Sequence, residues 1–241
     1  MTVINTLVPF TSAIISFIFA FVIFKRYFNR RGAHLLLWGI GMLFYGIGGF
    51  TEAYFGAFGW NSLIFRMWYL FGAILVAAWL GQGTVYLLAK RRVANILMMI
   101  LGVASLYAAI RVFSAQLDPS LVTTSVHTGS ELSGHAIITP GIRTLTPFFN
   151  IYGVVTLVGG AVYSAWIFYR KRVLLHRVIG NILIAVGALA PAFGGAFSRF
   201  GIPGTLYIGE LLGAVLIFLG FWRATTPMKE KEPQTVSEAV N

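Results

Sequence analysis

The stretch VINTLVPFTSAIISFIFAFVIFKRYFNRR, Val3–Arg31, decides the fold. No charge interrupts it from Val3 to Phe24, and Lys25, Arg26, Arg30 and Arg31 then close it. A helix of about 20 apolar residues crosses the hydrocarbon core of a bilayer. The run lacks the period-2 alternation of a membrane strand, and hydrocarbon tolerates no unpaired backbone amides, so the spacing predicts a spanning helix. Positive charge follows the run instead of preceding it, the reverse of a cleavable signal peptide, so this helix is expected to be retained.

Six further runs of the same kind follow: His34–Phe55, Ser62–Leu88, Val93–Phe113, Pro147–Tyr169, Val178–Phe197 and Thr205–Trp222. Hydrophobic residues make up 58% of the chain and charged residues 10%. A soluble domain carries about 25% charge, so a soluble class is excluded. The expected fold is an all-α bundle of seven transmembrane helices over residues 1–223. A polar tail, residues 224–241, is expected to be disordered and is too short for a catalytic domain.

The net charge of +11 does not point to nucleic acid, because the cations sit at the ends of the apolar runs and form no stripe or basic face. Lys25, Arg26, Arg30, Arg31, Lys90, Arg91, Arg92, Arg170, Lys171, Arg172, Arg177, Arg223, Lys229 and Lys231 fall on one side of the membrane. Arg66, Arg111, Arg143 and Arg199 fall on the other. The positive-inside rule then predicts an outer N-terminus and a cytoplasmic C-terminus in a plasma membrane. The chain has no cysteine, which removes disulfides, thiolate metal sites and thiol redox chemistry.

The 27 glycines carry a spacing signal. Gly32, Gly39 and Gly46 recur every seven residues, as do Gly153 with Gly160, Gly180 with Gly187 and Gly194, and Gly213 with Gly220. Seven residues are close to two helical turns, so each series predicts a seam along which a neighbouring backbone approaches closely. Pro191, deep in the sixth run, withdraws a hydrogen bond from the carbonyl of Gly187 and predicts a kink, either a fixed packing feature or a mobile outer third. The outer segment Ser114–Thr146 is long enough for a functional loop or a linker. It ends in Thr146-Pro147, read as an N-cap followed by proline at the first helical position.

Ionisable residues in or beside the runs gather toward the outer side: Glu52, Arg66, Arg111, Arg199 and Glu210. Glu210 shares a helical face with Gly213, Ile217 and Gly220, and Glu52 with Tyr45, Gly48 and Gly49, so both carboxylates are expected to look into the bundle. Two readings of this group stand open. It is an internal ion-pair network that fixes helix register, or an outward-facing pocket in which the arginines meet a small anionic ligand.

His127, Glu131 and His135 have metal-ligand spacing, but Gly129 and Gly134 oppose the helix that would join them, so no metal site is expected. His34 and His176 are read as solvated or phosphate-contacting groups at helix ends. Gln82, Asn150 and Asn181 are read as interhelical hydrogen-bond partners. No activated nucleophile or phosphate-cradling loop is present, so neither enzymatic activity nor a cofactor is expected.

Rhodopsins and G-protein-coupled receptors share the seven-helix plan, but every lysine lies at or beyond a basic helix end, which excludes an interior Schiff base, and the third run lacks an acidic-arginine-aromatic switch. LLLWGIGMLFYGIGGFTEAY, Leu35–Tyr54, followed by FRMWYLFGAILVAAWLGQGTVYLL, Phe65–Leu88, resembles the seven-helix sensor region at the N-terminus of some bacterial histidine kinases. That resemblance implies a receptor-like or sensory module, here without a kinase domain and so dependent on a separate cytoplasmic signalling partner. The segment beginning GGFTEAYFGAFGW at Gly48 also echoes the one beginning GGAFSRFGIPG at Gly194, as expected of a transporter built from 3+1+3 helices. An accessory subunit of a larger membrane complex is the third reading.

Overall fold

The computed structural model describes residues 2–121, 133–171, 174–202 and 204–225. Among these residues, seven helices are long and apolar enough to cross a membrane, which makes the chain a multi-pass membrane protein. They are α1 (Thr2–Arg30), α2 (Ala33–Phe58), α3 (Ser62–Leu88), α4 (Arg91–Phe113), α5 (Ile142–Arg170), α6 (Leu175–Arg199) and α7 (Thr205–Thr225). Successive helices run antiparallel, so the connections alternate between a basic end and an arginine-poor end.

Most helices outrun the apolar segments that announce them. α1 continues through its basic cluster to Arg30, and α4 begins at Arg91. Hydrophobicity marks where the chain meets hydrocarbon, whereas backbone hydrogen bonding continues into the interface. The start of α5 corrects the expected cap. That helix begins at Ile142 after Gly141, whose φ of 82° is left-handed, and Pro147 lies inside it. Ile142 is fully buried, and docking it draws the preceding turn into the helix. Thr146 does not cap; its hydroxyl donates to the Tyr69 hydroxyl at 3.0 Å.

The Gly180–Gly187–Gly194 and Gly213–Gly220 series form a close helix crossing, whereas Gly39 and Gly46 receive the rings of Phe24 and Phe17. A Cβ on Gly220 would lie 2.6 Å from the Gly180 carbonyl oxygen, and one on Gly209 would lie 2.6 Å from that of Ala190. Both are far inside van der Waals contact, so α6 and α7 pack backbone to backbone. Pro191 sits in this seam, and α6 runs unbroken through it. The carbonyl it leaves without a helical donor, that of Gly187, faces the backbone of Gly213 at the spot a Cβ would occupy, 2.9 Å away. Gly49 packs α2 against Pro9 and Ala13 of α1, and Gly48 meets Gly72 of α3.

Two helices contain wide, π-type turns that the sequence does not announce: Trp68–Leu75 in α3 and Val154–Val158 in α5. Such turns loosen the carbonyl ladder. Asn150 compensates by donating its amide to the Ala73 carbonyl at 3.0 Å, while Thr156 donates to the Tyr152 carbonyl at 2.6 Å.

α4 stands apart. Met99, Ile100, Val103, Leu106, Tyr107 and Ile110 are all exposed along it. It is tied to α3 at three depths: Gln82 Nε2 donates to the Ala94 carbonyl at 2.8 Å, Trp79 Nε1 to Ser105 Oγ at 3.1 Å, and Arg66 to the Val112 carbonyl at 2.7 Å. Helices α1–α3 and α5–α7 therefore enclose the interior, with α4 on its flank.

Candidate functional site

An interior site begins with helical phase. On α2, Gly39, Gly46, Gly49 and Gly56 abut α1, whereas Gly41 and Gly48 abut α3. Tyr45 and Glu52 fall between these two faces and point inward. On α7, Gly209, Gly213 and Gly220 abut α6, while Phe218 and Phe221 pack on Phe19 of α1. Glu210 falls between them and also points inward.

The two carboxyl groups meet. Glu52 is only 1% exposed, and its Oε1 accepts from Trp68 Nε1 at 2.8 Å. The Glu210 side chain comes into hydrogen-bonding range of the Glu52 carboxyl, yet no well-aligned bond completes Glu52 Oε2. Tyr45 spans the same gap, its hydroxyl donating to the backbone carbonyl of Glu210 at 2.7 Å. A carboxylate costs about 2.5–3.5 kcal/mol to insert at membrane depth, and such a group normally faces a partner or a wet space. Here the principal partners are an indole and a second carboxyl.

The expected arginines do not join them. Arg66 directs one guanidinium nitrogen to the Val112 and Phe113 carbonyls, at 2.7 and 2.8 Å, capping the end of α4. Arg111 donates to the Pro140 carbonyl at 2.9 Å. Arginine has a long stem that carries its charge to the interface, where the open carbonyls of a helix C-terminus are a natural acceptor set. The side chain of Arg199 lies outside the described residues. Of the five residues grouped by sequence, the structure unites Glu52 and Glu210, and sends Arg66 and Arg111 to the rim.

Two residues escape the sequence reading. Ser12 and Ser16 of α1 are fully buried, and neither hydroxyl has a hydrogen-bond partner among the described residues. They share a helical face with Phe19 and Ile23, an i, i+4, i+7, i+11 series that could have exposed them. Depth follows from the packing around them. Gly49 abuts Pro9 and Ala13, while Gly204 lies beside Ile4 and Phe19 beside Phe218. Ser12, Glu52 and Glu210 therefore occupy one level.

A narrow cavity of about 50 Å³ lies below that level, in the half of the bundle nearer the basic end. Every helix except α4 contributes to its wall: Phe19 and Ile23 from α1, Trp38 and Met42 from α2, Leu80 and Thr84 from α3, Leu157 and Ser164 from α5, Asn181 and Ile184 from α6, and Ile217 and Phe221 from α7. The lining is mainly apolar, with Thr84, Ser164 and Asn181 as polar points. Tyr45 and Gly213, about one turn beyond Met42 and Ile217, come together between the cavity and the carboxyl pair.

A separate open cleft at the arginine-poor end is lined by Trp60, Ser62, Arg66, Gln116, Leu117 and Ile138. Its loop is anchored where the Ile138 amide donates to the Gln116 carbonyl at 3.0 Å and the Asp118 amide to the Ala136 carbonyl at 2.9 Å. In that loop, hydrogen bonds from the Ser120 hydroxyl and amide hold the Asp118 carboxyl below the usual carboxylate range.

The other polar residues divide. Gln82 and Asn150 bridge helices as expected; Gln82 also accepts from the Tyr152 hydroxyl. Asn181 instead donates to the Arg177 carbonyl within its own helix, and His176 is buried. His127 and Glu131 lie outside the described residues. No family model, curated protein or solved structure matches the chain.

Proposed function

We propose that this protein is a small-molecule carrier of the plasma membrane, non-enzymatic, with its N-terminus outside and its C-terminus in the cytoplasm. The observation that carries the reading is the central cavity, walled by α1–α3 and α5–α7 with α4 excluded. A 3+1+3 transporter has this arrangement of two three-helix units around a shared path. The Gly48–Gly72 and Gly194–Gly209 crossings add support, since each pins the hairpin at the head of one of the two echoing sequence segments. The lining favours a small, largely apolar solute oriented by a few hydroxyl or amide contacts.

The receptor-like reading depended on arginines placed opposite Glu52 and Glu210. Arg66 and Arg111 are committed to rim carbonyls, so the central cavity is the stronger guide to function.

The absence of cysteine makes the test direct. Ser164→Cys places a thiol in the cavity wall, and Ser16→Cys places one on the inward face of α1, nearer the carboxyl pair. Both are exposed to a membrane-impermeant maleimide in right-side-out and inside-out vesicles. A carrier that alternates its access is expected to label at Ser164→Cys from the cytoplasmic face and at Ser16→Cys from the outer face. Labelling from the cytoplasmic face alone would indicate a one-sided binding pocket. Protection of both thiols from both faces would overturn the carrier and favour a dry accessory subunit.

A further inference from the structure

The carboxyl pair includes a buried oxygen that no hydrogen bond satisfies. Glu52 Oε2 and Ser12 Oγ are buried without hydrogen-bond partners among the described residues, on two different helices at one level of the bundle. Glu210 approaches from a third helix. Ser12 is aimed at this point by its own helix, because Phe19 and Ile23 on the same face pack into the core that contains Tyr45 and Ile217. Buried oxygens of this kind are normally satisfied, and an unsatisfied group in a native structure calls for an explanation such as a bound ion.

The surroundings narrow the choice of occupant. The carboxyl oxygens of Glu52 and Glu210 meet, with the Ser12 hydroxyl at the same level, while two neighbouring donors are already used: Trp68 Nε1 serves Glu52 Oε1, and the Tyr45 hydroxyl serves the Glu210 carbonyl. The guanidinium of Arg66 is turned to the rim. Tyr45 on α2 and Tyr207, one turn before Glu210 on α7, are the titratable neighbours. The stretch of α1 at this level, residues 5–20, and that of α6, residues 187–194, contribute no charged or titratable side chain. An anion would be repelled. A calcium ion takes about six to eight oxygen ligands, more than two carboxyls and a hydroxyl supply.

We infer that Ser12, Glu52 and Glu210 form a binding site for a single monovalent cation, sodium or a proton, held between α1, α2 and α7 beyond the closed end of the central cavity. Sodium would bridge the serine hydroxyl and the carboxylate oxygens. A proton would be shared between the two carboxyls. Either supplies a positive charge that Arg66 and Arg111 do not, and ties together three helices that a bound solute must part. As the coupling site of a carrier the assignment rests on the function proposed above; as a binding site it stands without it.

The test uses the full chain in detergent. Its melting temperature is followed in sodium, potassium and choline chloride at constant ionic strength and at pH 6 and 8.5, because a ligand that binds the folded state raises that temperature with concentration. A sodium site predicts a saturable rise of several degrees in sodium alone. A proton site predicts no sodium response and a higher melting temperature at pH 6 than at pH 8.5. In either case Glu52→Gln and Glu210→Gln abolish the response, and Ser12→Ala weakens the sodium response at least tenfold in apparent affinity.

A lipid-soluble carbodiimide supplies a second readout on the unaltered protein, because it modifies protonated carboxyls in apolar surroundings. Modification of Glu52 or Glu210 that sodium suppresses identifies sodium; modification suppressed only by raising the pH identifies the proton. Overturning results are a melting temperature indifferent to both ions, a response that survives both glutamine variants, or modification unaffected by either treatment. Loss of the cation response with alternating maleimide access intact would remove the site and leave the carrier. The opposite pattern would leave a cation site in a protein that does not transport.

Discussion

Glu52 and Arg66 lie fourteen residues apart near the same end of the bundle, and the structure treats their charges in opposite ways. The arginine reaches past the hydrophobic layer to two carbonyls at the end of α4, leaving its guanidinium in a half-exposed rim position. The glutamate, with a much shorter stem at an inward helical phase, stays 1% exposed beside Trp68 and a second carboxyl. Side-chain length thus decides which of the two charges can leave the interior. What remains inside is a pair of acidic groups from which Arg66 and Arg111 are turned away.

Substitutions should separate these regions in a definite order. The largest effect belongs to the interior: Trp68→Phe removes the indole donor and leaves Glu52 Oε1 buried without it. Loss of a buried polar group's partner costs about 1–3 kcal/mol, so the unfolding free energy in detergent should fall by that amount. A change indistinguishable from zero would mean that water already reaches the carboxyl pair.

Arg66→Met should have a smaller effect, below about 1 kcal/mol, because water or lipid headgroups replace the guanidinium at the Val112 and Phe113 carbonyls. Its expected signature is faster amide exchange confined to the end of α4. A loss matching that of Trp68→Phe would show that the rim contact is as structural as the interior one.

The smallest effect concerns Asp118 in the loop above the rim. Its carboxyl is depressed by Ser120, so the turn gains stability above the unfolded value of about 3.9 and loses it as the pH falls through the lower folded value. Amide exchange at Ser120 should therefore accelerate only under more acidic conditions than about pH 4. Asp118→Asn should remove that dependence. An unchanged profile in the variant would assign it to another group.

The inward phase of Glu52 and Glu210 was legible because each shares a helical face with glycines that mark packing seams. Their meeting was not legible, since it depends on the rotation of α7 relative to α2. Ser12 and Ser16 carried a phase signal, but a serine in an apolar run reads equally well as an ordinary hydrogen-bonding residue. The arginines were grouped by depth, which sequence conveys. Their direction away from the carboxyls depends on the open carbonyls at the end of α4 and on Pro140, which only tertiary packing brings near.

Sequence alone determined the number of spans, the division of the chain into a basic end and an arginine-poor end, and the glycine faces available for close packing. Those features arise from hydrocarbon's exclusion of charge and unpaired backbone, which acts on each segment separately. Tertiary structure decided that α4 stands outside, that six helices surround a cavity, and that two carboxyls meet while Arg66 and Arg111 turn to the rim. These depend on relative helix rotation and on which donor reaches which acceptor, quantities set only when all seven helices pack together.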